Sequence, residues 1–243
     1  MFFHTHVYYS KRVDSSLDSL KVVGSILPDL ALTSLITWDD LHKKRGILDF
    51  STYEEKSNPE LSSLLRGINY HNTLDYFTHL SYKNKAGYAY QSITPELTSL
   101  VGKALGVSQE RAFTSSHNCI ESGVEYFLLQ DDPSLVKLVK DSLRQIDNVL
   151  LAKTMAEFYK KPQSEMLNGI NKLFSFATDY DFTDINGLTR LFIDLNKYYL
   201  NVDVDKGLIN EIINLSFALT KDTYKEFMET VIASKETEIK DSN

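Results

Sequence analysis

The stretch DDPSLVKLVKDSLRQIDNVL at 131–150 decides the fold class. Its apolar residues Leu135, Leu138, Val139, Leu143, Ile146, Val149 and Leu150 return every three or four positions, the spacing that lines one face of an α-helix. Asp132 can cap the first free amides and Pro133 suits a first helical position, so a helix is expected to start here and run through Leu150. Toward the C-terminus the same period recurs in Leu188, Leu191, Phe192, Leu195 and Tyr199. It returns after a break at Gly207 in Leu208, Ile209, Ile212, Ile213, Leu215 and Leu219. From Ser234 onward the chain is expected to fray. Ten glycines and five prolines leave too few turn clusters to punctuate a sandwich or barrel. An all-α, multi-helix globular domain follows, one domain over 1–243, with no internal repeat. Residues 49–59 and 82–94 read as long helix connections.

The balance of 33 acidic against 26 basic residues gives a net charge of −7, which disfavours a stable nucleic-acid complex. The apolar run at 22–38 contains Pro28 and Asp29 and is short for a membrane span, so it reads as a buried segment and no transmembrane helix is expected. The start, MFFHTHVYYSKR, has its apolar residues before its basic pair, the reverse of a secretory leader. A single cysteine, Cys119, rules out a disulfide framework within the chain. A cytoplasmic location is the expectation.

Working back toward the N-terminus, all six histidines, His4, His6, His42, His71, His79 and His117, fall in the first 117 residues. In YHNTLDYFTH at 70–79, His71, Asp75 and His79 stand four apart, so a helix would aim all three one way. In SHNCIESGVEYF at 116–127, His117 and Glu121 repeat the spacing, and Ile120, Val124 and Phe127 form an apolar stripe that seats the helix in the core. One such pair is ordinary on a helix surface. Two of them, in a chain whose histidines share one half, point to a metal site of imidazole and carboxylate ligands lying between helices. Asp29, in GSILPDL, is a further candidate, since a carboxylate in an apolar run needs a partner; a helix cap after Pro28 is its other reading. The chain therefore divides into a metal-site half, 1–127, and a packing half, 128–243, which supplies at most a wall of the pocket. The tyrosine-rich loop between the two ligand helices, with Tyr82, Tyr88, Tyr90, Lys83 and Lys85, could cover a substrate. The acidic runs at 179–184 and 203–207 fit no EF-hand loop and read as solvated connections.

The order His, Asp, His, then HxxxD, His, then HxxxE resembles the zinc-dependent phospholipase C family and the related single-strand-specific nucleases. GSILPDL and HNTLDYFTH are similar to uncharacterised bacterial members. The resemblance covers about 1–127. It implies an all-helical hydrolase of phosphoester bonds, acting on a small-molecule or lipid phosphoester with two or three zinc ions or another divalent transition metal. Asp29, His42, His71 and Asp75 would hold one ion, with Asp29 also the general base. His79, His117 and Glu121 would hold a second. Asp75 with His4 or His6 would reach a third; the chain begins without the tryptophan that the family's third site uses, so two ions are expected. A second resemblance, to acyl-carrier-protein phosphodiesterases, rests on GSILPDL and GINYHNTLDYFTH and again implies phosphodiester hydrolysis. A helical binding or metal-storing protein without turnover is the reading from another class.

Overall fold

The computed structural model describes residues 2–37, 40–41 and 63–241. Twelve α-helices and no strand are found among them: α1 (Phe3–Val13), α2 (Ser19–Ile26), α3 (Ser63–Asp75), α4 (Tyr88–Gln91), α5 (Pro95–Leu105), α6 (Gln109–Asp131), α7 (Ser134–Gln145), α8 (Asn148–Tyr159), α9 (Gln163–Thr178), α10 (Ile185–Leu200), α11 (Lys206–Thr220) and α12 (Tyr224–Asp241). A 3-10 helix, Leu27–Thr33, continues α2, and a π-helical turn, Tyr76–Leu80, continues α3. No helix among the described residues is long and apolar enough to cross a membrane.

The helix expected over 133–150 is two helices. Ile146 is extended at φ −87° and ψ 139°, and the Asp147 carboxylate then accepts from the amides of Val149 and Leu150, starting α8 in a new direction. Val149, counted in the apolar stripe, is left 55% exposed. Asp132 does accept from the Ser134 amide, as a cap should. At the C-terminus α12 is helical to Asp241, past Ser234. Both acidic runs cap helices, Asp184 at α10 and Asp205 at α11.

Two helices form the frame for everything that follows. The first, α1, is buried from Phe3 through Val7 and packs on α2, α3, α6, α7 and α12. The second, the long α6, packs on α5 and α11 while its first-half residues face α4. Where α2 crosses α3 the backbones nearly touch. A Cβ on Gly24 would lie 2.3 Å from the Leu64 carbonyl oxygen, and one on Gly67 would lie 2.1 Å from that of Lys21. Only glycine fits this crossing, and it sets His71, one turn past Gly67, against the end of α2.

Candidate metal centre

Seven side chains from five elements converge between α1, α3 and α6. His6 comes from α1, Asp29 from the 3-10 helix, His71 and Asp75 from α3, His79 from the π turn, and His117 and Glu121 from α6. They form two groups. One ligand atom from each of His6, Asp29 and His71 can be chosen so that all lie within 4.8 Å of one another, and the same holds for His79, His117 and Glu121.

Asp75 stands between the groups. Its Oδ1 is 3.5 Å from His6 Nε2, while its Oδ2 is 3.2 Å from His71 Nε2 and 3.7 Å from His79 Nδ1. The π turn explains how His79 joins the second group. The Ser81 amide reaches back five residues to the Tyr76 carbonyl at 3.0 Å, which unwinds the helix after Asp75 and turns His79 toward α6. There its Nε2 meets Glu121 Oε1 at 2.6 Å.

Two of the four rings are oriented from behind by backbone carbonyls. His71 Nδ1 donates to the Ser25 carbonyl at 2.9 Å, leaving Nε2 toward Asp75. His117 Nδ1 donates to the Thr114 carbonyl one turn back, and its ring stacks on Tyr90 at 5.4 Å. His6 lies face to face with His71, centroids 3.7 Å apart and planes 11° apart. Backbone partners of this kind fix the tautomer and heading of ligand imidazoles.

The electrostatics follow from burial. Burial, with His71 alongside, keeps the His6 imidazole well below its usual range, so it stays neutral. Burial raises the Asp29 carboxyl to about 7, with Asp75 and Glu121 adding to the rise. Burial would also raise Asp75 and Glu121, but positive charge outweighs it: the terminal amino group, then His71 and His79, hold Asp75 far down, and the terminal amino group, then His117 and His79, hold Glu121 at about 2.

Both ring nitrogens of His6 and Oδ2 of Asp29 are buried without a hydrogen-bond partner among the described residues. A buried polar atom without a partner is costly. Here the lone atoms face a cluster of others that a cation would satisfy.

His4, one of two candidates from the N-terminus, is not in either group. Its Nδ1 donates to Glu125 at 2.6 Å, one turn further along α6 than Glu121. Glu125, fully buried, also accepts from the His4 amide at 3.0 Å and from the Thr5 amide and hydroxyl at 2.7 and 2.6 Å. It thereby caps α1, whose own N-cap residue, Phe2, offers no side-chain oxygen. His6 stands beside Asp29 and His71; His42, which the resemblance groups with those two, lies outside the described residues. Glu125 itself was missed, although its position four past Glu121 puts it on the same face.

The loop at 82–87 does not cover the site. Tyr82 and Tyr88 are buried against Phe227, and Lys83 pairs with Glu226. Only Tyr90 reaches the ligands. Cys119 lies in the core, its thiol pushed up by burial to about 12, and takes no part in either group.

The site forms the floor of a 370 Å³ cavity, which Asp29, Asp75, His79, His117 and Glu121 all line. Part of its wall comes from the C-terminal half: Phe192, Leu195 and Tyr199 of α10, with Ile209 and Ile212 of α11. No protein-family model, no curated protein and no solved structure matches this chain.

Proposed function

We propose that this protein is a metal-dependent hydrolase of phosphoester bonds with a dinuclear centre, one ion held by His6, Asp29 and His71, the other by His79, His117 and Glu121, and Asp75 shared between them. One observation carries this reading: a single carboxylate presents one oxygen to His6 and the other to His71 and His79, between two three-residue groups. A zinc-type ion holds its ligand atoms roughly 3.4 Å apart, so each group needs only a small contraction. Four imidazoles and three carboxylates, with no thiolate, suit zinc, manganese or iron over softer metals. In the second group an ion would replace the proton shared by His79 and Glu121.

Ions of this class supply Lewis acidity and lower the pKa of water to near neutral. The protein contributes the rest. Asp29 lines the cavity and would take a proton from an attacking water. Three carboxylates in one floor would repel a phosphate, so substrate binding requires that their charge be offset. The choice of phosphoester follows the resemblance to zinc-dependent phospholipases C and single-strand nucleases.

Elemental analysis of gently purified protein should return about two equivalents of transition metal. Bis(p-nitrophenyl) phosphate should be hydrolysed, chelation should abolish the activity and readdition of zinc or manganese should restore it. Asp75→Asn should lower turnover more than about 100-fold, beyond the loss typical of outer partners. Less than one equivalent of metal would sink the reading; two equivalents without turnover on any phosphoester would leave a metal-holding protein instead.

A further inference from the structure

The cavity above the metal centre has two unlike sides. Along α6, Arg111, Thr114, Ser115 and Asn118 follow one another at helical spacing and lead from the exposed rim down to His117 and Glu121. Arg111 is the one arginine or lysine of the lining among the described residues. Away from α6 the lining is mostly apolar: Val101 and Leu105 of α5, Leu32, and the α10 and α11 residues named above, with Asn196 the polar exception on α10. From Glu121 to Arg111 is ten residues of helix, roughly 15 Å.

We infer that the substrate is a water-soluble phosphoester carrying one aliphatic arm of medium length, its phosphate on the floor and its arm along the α10–α11 wall. This rests on the dinuclear reading for the phosphate, and on the wall alone for the arm. A volume of 370 Å³ holds roughly a dozen methylene-sized groups, enough for one arm and too little for two long chains. A polynucleotide would need a track of cations, and the lining supplies a single arginine. An apolar wall beside a charged floor instead selects a ligand with a polar head and an apolar tail.

Two experiments separate the arm from the chemistry. In the first, straight-chain alcohols from butanol to hexadecanol displace an environment-sensitive dye from metal-stripped protein, a readout that needs neither ions nor turnover. Affinity should rise about fourfold per methylene and stop rising near eight to twelve carbons. Leu195→Trp, at a half-buried wall position, should bring the plateau several carbons earlier without changing metal content, and Leu195→Phe should do so by less. Affinity independent of chain length, or still rising at sixteen carbons, would overturn the proposal.

In the second, kcat/KM is compared for metal-loaded protein on methyl, hexyl, decyl and hexadecyl p-nitrophenyl phosphates, with two-chain phosphatidylcholine vesicles and a single-stranded oligonucleotide as further arms. The decyl ester should exceed the methyl ester by at least 100-fold. Vesicles or oligonucleotide turned over as fast as the decyl ester would overturn the single-arm assignment. Chain-length-dependent binding without turnover of any ester would sink the hydrolase reading and leave the arm site standing.

Discussion

The two ligand groups are built differently. His6 and His71 have fully buried side chains, whereas His79 is 17% exposed. The first group draws its members from α1, the 3-10 helix and α3, and depends on the glycine crossing and on a capped α1. The second group is local: a single turn of α6 supplies His117 and Glu121, and the π turn swings His79 across to them. The first group therefore depends on tertiary packing and the second on helix geometry. In the proposed dinuclear centre, an inner ion locked by packing would resist exchange, and an outer one facing the cavity would admit water and substrate.

Perturbing one group while sparing the other tests this contrast. The largest effect is expected at the α2–α3 crossing, where Gly24→Ala forces a Cβ against the Leu64 carbonyl and the helices must part. A loss of about 3 kcal/mol is expected in urea unfolding, with the inner ion weakened more than the outer. A fully stable Gly24→Ala protein would show that the crossing does not set the inner group.

Glu125→Gln comes next. It keeps the size of the side chain but replaces a carboxylate that accepts from two amides, a hydroxyl and an imidazole. With α1 less firmly held, His6 should lose alignment, and a metal titration should split into two phases, the weaker site reduced 10- to 100-fold. Equal weakening of both sites would instead mean a general loss of stability.

The smallest effect belongs to Tyr90→Leu, which removes the ring stacked on His117. An aromatic contact of about 1 kcal/mol corresponds to roughly a fivefold drop in affinity of the outer site alone. Competition with a chromophoric chelator resolves a change of that size.

The sequence made the outer group legible because both of its α6 members sit at the four-residue spacing, a local property of any helix. His71 and Asp75 were legible for the same reason. His6 was harder: it and His4 are two apart, and only the packing of α1 on α6 shows that one ring turns to Asp75 and the other to Glu125. The apolar wall was invisible for a similar reason. Leu195 and Ile212 carry the same periodic signature whether they face the core or a cavity. The break at Ile146 hid within an unbroken apolar period, although Asp147 followed by Asn148 carried the signal of a new cap.

The π turn at Tyr76–Leu80 makes the outer site a matter of counting rather than of chemistry. Each helical residue turns the chain by about 100°, so a single surplus residue accommodated after Asp75 sets the heading of everything beyond it. Insertion or deletion of one residue there would redirect His79 away from Glu121, whatever side chains the turn carries.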